Sequence, residues 1–108
     1  MIEQRRFARA PIDISLTFAI KGQAEQRQGI AKDISLGGMF IETQTPAHFG
    51  ADVIVTARLP GASETFNLPG VVRWVRNGGM GVQFGLLGAA PTHVITEINR
   101  KHAESAAR

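Results

Sequence analysis

Apolar and polar residues change places at every second position over most of this chain, and a period of two is the signature of strands rather than of a helical bundle. Ile12, Ile14, Leu16, Phe18 and Ile20 alternate with Asp13, Ser15, Thr17 and Ala19, so an extended segment there presents one apolar and one polar face. Lys21-Gly22 marks a turn. A more polar strand is expected from Gln26 to Ile34, after which Leu36-Gly37-Gly38 reads as a tight turn into Met39 to Thr43, and Pro46 to Gly50 breaks that run. Val53, Val55, Ala57 and Leu59 form the next alternating face, closed by Pro60-Gly61. Phe66 and Leu68 begin a strand that Pro69-Gly70 interrupts or bends before Val71 to Arg76 continues it. Asn77-Gly78-Gly79 is a strong hairpin signal, and beyond it Met80, Val82, Phe84 and Leu86 alternate once more.

Six or seven short strands joined by tight turns suggest a mainly-β fold closed into an antiparallel barrel, because closure removes the exposed edges of a flat sheet. One helix is expected over about 91–106, with Pro91 at a first helical position, Val94, Ile95, Ile98 and His102 on one face, and Glu97 and Lys101 paired one turn apart on the other. It would cap the barrel or pack beside it. A chain of 108 residues has room for one domain; residues 1–10 read as a flexible tail and 11–108 as the barrel with its helix. With 44% hydrophobic and 19% charged residues the composition is that of an ordinary globular protein. There is no cysteine, so neither a disulfide framework nor a thiolate metal site is available. No apolar run follows the basic start as a secretion signal would require, and none reaches the length of a membrane helix. The expectation is a cytoplasmic protein that does not insert into membranes.

Two polar clusters stand outside this pattern. Arg5, Arg6 and Arg9 place three guanidinium forks on a segment with almost no apolar anchor besides Ile2 and Phe7, and each fork can grip a phosphate or a guanine edge with two parallel hydrogen bonds. Asp33-Ile34-Ser35-Leu36-Gly37-Gly38 supplies a carboxylate, a hydroxyl and glycines where backbone can approach a ligand. Taken singly, each has a plainer reading: a solvated basic terminus, and a polar turn built from the residues turns use. The net charge of +3 favours anionic partners only in a general way.

The two clusters in this order, Arg5-x-x-x-Arg9 followed by Asp33-x-Ser35-x-x-Gly38, resemble the signature of the PilZ domain family. Gly70-Val71-Val72-Arg73-Trp74 and Gly79-Met80-Gly81-Val82-Gln83-Phe84 also look like the later strands of that family. The resemblance covers nearly the whole chain and implies a PilZ-like β-barrel that binds cyclic di-GMP through Arg5, Arg9, Asp33, Ser35 and Gly38. Arg6, Gly37 and Trp74 form a second tier of candidates; alternation with Val72 also lets Trp74 pack against the barrel or helix. Because Arg5 and Arg9 lie on a segment with almost no apolar anchor, the tail is expected to be mobile without ligand and to fold over the nucleotide on binding, creating a surface for an unidentified downstream protein. In this family the residue before the first motif arginine influences whether one or two ligands bind, and Gln4 leaves that count open.

Other functions are less well provided for. His48, His93 and His102 lack metal-ligand spacing, and nothing near Ser35 in sequence completes a nucleophilic site, so neither an enzyme nor a cofactor is expected. A barrel that binds a nucleic-acid polymer would want a run of exposed aromatics, whereas here six Phe and one Trp mostly occupy core alternation. A PilZ-like adaptor for pilus or flagellar control that does without nucleotide is the alternative to the receptor.

Overall fold

The computed structural model describes residues 9–106. In chain order its elements are β1 (Ala10–Ile20), β2 (Arg27–Ser35), β3 (Gly38–Glu42), β4 (Asp52–Ala57), β5 (Phe66–Arg76), β6 (Gly79–Phe84) and α1 (Ala89–Ala106). The six strands close into an antiparallel barrel in the order β1-β2-β3-β6-β5-β4, with β4 returning to β1. Leu16, Phe18, Ile34, Met39, Ile41, Val53, Val55, Leu68, Val72, Met80 and Val82 fill the interior. Burying each such side chain contributes about 1.5–3 kcal/mol, which is why the period of two is kept so strictly.

Pro69-Gly70 neither breaks nor ends its strand. Proline cannot donate to a ladder, but Pro69 pairs with Ile54 and its carbonyl accepts from Gly85 N–H at 2.9 Å. Gly70 is a close-approach position, since a Cβ there would lie 2.6 Å from Val82 Cγ1 and 2.8 Å from Gln83 O. Ala10, expected at the end of the tail, is buried and opens β1. Residues 1–8, and with them Arg5 and Arg6, lie outside the described residues.

The helix starts two residues before Pro91, at Ala89. Proline is still tolerated, because the N–H groups of the first turn have no partner inside a helix. Ile95 is fully buried and Val94 and Ile98 pack beside it on the barrel. His102, expected on the same face, is exposed. Glu97 pairs with Arg100 at 2.7 Å rather than with Lys101, and Arg100 also reaches Glu104 at 2.5 Å. The guanidinium hydrogen bond, followed by Coulombic attraction from neighbouring cations, holds the Glu97 carboxyl below the usual carboxylate range, and the two glutamates in turn raise Arg100. Asn99 Nδ2 donates to Ile34 O at 3.2 Å, tying the helix to β2 between Asp33 and Ser35.

Candidate functional site

Two bulges decide which side chains leave the barrel on its β2-β3-β6-β5 side. In β2, Ala31 pairs with Ile41 and Asp33 with Phe40, so Lys32 is an extra residue. Strict alternation from the buried Ala31 would turn Asp33 inward; the bulge sends it out and restores Ile34 to the core. The same device recurs in β5, where Val72 pairs with Val82 and Trp74 with Gly81, leaving Arg73 extra. Trp74, which alternation from Val72 would bury, is therefore 42% exposed. The pairings Asp33 with Phe40, Phe40 with Gly81 and Gly81 with Trp74 then form one continuous line across four strands.

At the β2 end of this line Arg9 grips Asp33. Its Nη2 and Nε donate to Asp33 Oδ1 at 2.6 and 3.2 Å, and its Nη1 donates to Ser35 Oγ at 3.3 Å. Phe40 N–H adds a third bond to the same Asp33 oxygen at 3.2 Å, so Oδ2 accepts nothing among the described residues. The two side chains are 45% and 34% exposed, and a pair so open to water is worth about 0–1 kcal/mol to the fold. Its consequence is positional: Arg9 is held over the barrel surface by Asp33 and Ser35.

Ser35 is buried, with 1% exposure, and its hydroxyl oxygen accepts Gly37 N–H at 3.1 Å as well as Arg9. It holds the β2-β3 turn and the arginine at once. Gly37 is fastened on its other side as well, its carbonyl accepting from Phe84 N–H at 2.8 Å. Gly38 does not need a left-handed backbone, for it is absent from the glycines of positive φ. A Cβ at Gly38 would instead stand 2.0 Å from Val82 O, so β6 passes too close for any side chain.

The far end of the line is aromatic. The Trp74 and Phe40 rings stack at 5.3 Å with an 8° interplanar angle, and the Arg76 guanidinium lies 4.9 and 5.1 Å from their centroids. Glycine makes the room: a Cβ on Gly81 would strike Trp74 Nε1 at 2.2 Å, and one on Gly79 would strike Phe40 Cζ at 2.4 Å. Phe40 and Arg76 are functional candidates that the sequence reading missed. The signal that could have found them is Gly79-x-Gly81, two side-chain-free outward positions facing a neighbouring strand. Among the described residues no group of three or more His, Cys, Asp or Glu could hold a metal ion, and no helix is long and apolar enough to cross a membrane.

A small closed barrel with one C-terminal helix, an arginine–aspartate pair beside the β2-β3 turn and a glycine-floored aromatic cluster next to it thus defines the class of domain. The PilZ domain model matches residues 3–98, and the chain belongs to the PilZ domain family. Among solved structures it resembles the PilZ domain of CeSA from a cellulose-synthesizing bacterium, at 20% identity and a TM-score of 0.69 over 86% of this chain and 95% of that one. It also resembles the PilZ domain of YcgR from Escherichia coli, solved with c-di-GMP, at 14% identity and a TM-score of 0.73 over 95% of this chain and 94% of that one. The Bacillus subtilis inhibitor of motility matches at 16% identity and a TM-score of 0.74, with 93% of this chain covering 52% of that one. No curated protein matches the chain.

Proposed function

We propose that this protein is a cytoplasmic receptor for cyclic di-GMP with no catalytic activity of its own, in which the N-terminal arginines close over the bound nucleotide against Asp33, Ser35 and Gly38. The observation that carries this reading is the arrangement of Arg9 and Asp33 beside the aromatic cluster of Trp74 and Phe40. Cyclic di-GMP presents two phosphates and two guanines. Arg9 offers donors for a phosphate or a guanine Hoogsteen edge, Asp33 Oδ2 has no donor among the described residues and suits guanine N–H groups, and the exposed part of Trp74 suits a purine ring. Support also comes from the YcgR PilZ domain, a structure of the same fold solved with c-di-GMP, and from the K. pneumonia MrkH complex, whose chain this one resembles at 18% identity.

Ser35 acts in this reading by holding Arg9 and the turn. Gly38 keeps β6 close to β3 and leaves the strip between Ser35 and Gln83 free of side chains. Arg5 and Arg6 would add donors to the guanidinium already held on Asp33, and the closed tail forms the surface that a downstream protein reads.

Isothermal titration of cyclic di-GMP into the wild-type protein, with Arg9→Ala and Asp33→Ala as controls and GTP as competitor, tests the proposal. Saturable binding that both variants lose and GTP does not displace is the expected result. No binding by heat or by an independent probe would sink the receptor and leave an adaptor that works without nucleotide.

A further inference from the structure

The face that carries Asp33 also carries a guanidinium placed by the same kind of bulge as the one beside Asp33. Arg73 is the extra residue of β5, so it and Trp74 both leave the barrel outward, in place of the single outward residue that regular pairing allows. Its Nε donates to Gln83 Oε1 at 2.7 Å. Gln83 pairs with Gly38, and Gly38 pairs with Ser35. Arg9 and Arg73 therefore flank a strip whose middle position has no side chain. Strands in a sheet lie about 4.8 Å apart, so the strip from the β2 line to the β6 line is on the order of 10 Å wide.

Charge balance then distinguishes Arg73 from the other described cations of this face. A cyclic dinucleotide brings two negative phosphates to a face where Arg9 is already neutralised by Asp33. Arg27, Lys32 and Arg100 are paired with Glu25, Asp13 and the α1 glutamates. Arg76 is laid over the aromatic rings. Arg73 has no carboxylate partner among the described residues, and Gln83 occupies only its Nε. Among the described residues the end of the fork, Nη1 and Nη2, has no partner, and its two nitrogens offer the geometry that takes a phosphate through two parallel bonds.

We infer that Arg73, oriented by Gln83, is a second anchor of the ligand and grips the phosphate remote from Arg9. This rests on the receptor reading above. The assigned chemistry is a phosphodiester oxygen pair, with Gln83 as the positioning residue that holds the guanidinium by its Nε.

The test is titration of cyclic di-GMP into wild type, Arg73→Gln, Arg73→Lys and Gln83→Ala, with Arg58→Gln as a charge-matched control off this face and Asp33→Ala as a control for the site itself. Loss of a bidentate charged contact lowers affinity roughly ten- to a hundred-fold in Arg73→Gln. Arg73→Lys should fall between that variant and wild type, Gln83→Ala should lose severalfold, and Arg58→Gln should bind as wild type does. All of these side chains are solvent-facing, so melting temperatures should agree and exclude misfolding. If wild type binds and Asp33→Ala does not, but Arg73→Gln keeps wild-type affinity, the second anchor is refuted and the receptor stands. If wild type itself fails to bind, both fall.

Discussion

Replacing Gly38 with alanine separates two accounts of the same residue. If the glycine is there so that a ligand can approach the main chain, the substitution harms binding and spares the fold. The structure gives the other answer, because the added Cβ would sit 2.0 Å from Val82 O, where real Cβ contacts essentially never fall below 3.0 Å. The obstacle is a backbone oxygen in the β3-β6 ladder, and it cannot rotate away as a side chain could. Relief requires the strands to part by about 1 Å, enough to stretch the two flanking ladder bonds beyond useful length. Two hydrogen bonds at about 1 kcal/mol each, together with up to about 2 kcal/mol of overpacking strain that remains once the strands have parted, set the destabilisation at about 2–4 kcal/mol. For a domain of this size each kcal/mol lowers Tm by about 4 °C, so a fall of roughly 8–16 °C is expected by calorimetry, with a matching loss of urea midpoint. Gly22→Ala is the control. Its φ is +88° but nothing lies within 4 Å, so only left-handed strain of about 1 kcal/mol applies, and its Tm should fall much less. A Gly38→Ala protein that melts within about 2 °C of wild type yet no longer binds cyclic di-GMP would refute the packing argument.

Arg9→Ala and Asp33→Ala should each weaken cyclic di-GMP by about 1.5–3 kcal/mol while stability moves by about 1 kcal/mol at most; a collapsed melting temperature in Arg9→Ala would make that arginine a fold residue instead. Trp74 is the sole tryptophan, so its fluorescence reports the platform. Phe40→Ala, which removes the stacked ring, should shift its emission to longer wavelength and cost about 0.5–1.5 kcal/mol beyond the buried area lost, and an unmoved spectrum would deny the stack. Asn99→Ala removes the hydrogen bond from Asn99 Nδ2 to Ile34 O at a cost of about 1 kcal/mol. Backbone NMR should show Asp33 and Ser35 amides moving although no ligand residue has changed. Glu97 is held below its ordinary value of 4.5 chiefly by the Arg100 hydrogen bond, and a depressed carboxyl stabilises the fold fully above its unfolded value and ceases to as pH falls through the folded one. The helix should therefore keep this contribution down to about pH 4.5 and lose it below, and a carbon-13 titration should find the Glu97 inflection moving up in Arg100→Gln.

The barrel was readable because its core is nearly continuous alternation, and turn chemistry marked most strand ends. Elements that depend on a partner were less legible. Pro69-Gly70 was expected to interrupt or bend its strand because a sequence shows the missing donor but not the accepting carbonyl that keeps Pro69 in the ladder. His102 seemed to share the apolar face of α1, but helical spacing does not reveal where the barrel surface ends beneath it. Lys101 was the favoured partner for Glu97 by i,i+4 spacing, yet Arg100 has a longer reach and a fork that serves Glu97 and Glu104 together.

The site was half visible for a related reason. Lys32-Asp33 between Ala31 and Ile34 is two polar residues where alternation allows one, and that doublet is the mark of a bulge in the sequence itself. In β5 the same irregularity is hidden, since tryptophan counts as apolar and Val72-Arg73-Trp74 looks like unbroken alternation pointing the indole into the core. Only the pairing of Val72 with Val82 and Trp74 with Gly81 exposes the extra residue. Both bulges do the same physical work: they carry one reactive side chain across to the outer face and place a cation next to it, Lys32 beside Asp33 and Arg73 beside Trp74. Asp13 neutralises the first cation at 3.5 Å, whereas among the described residues the second meets only the neutral amide of Gln83. That asymmetry makes β5 the side of the face with positive charge to spare, opposite the side where Arg9 is already matched by Asp33.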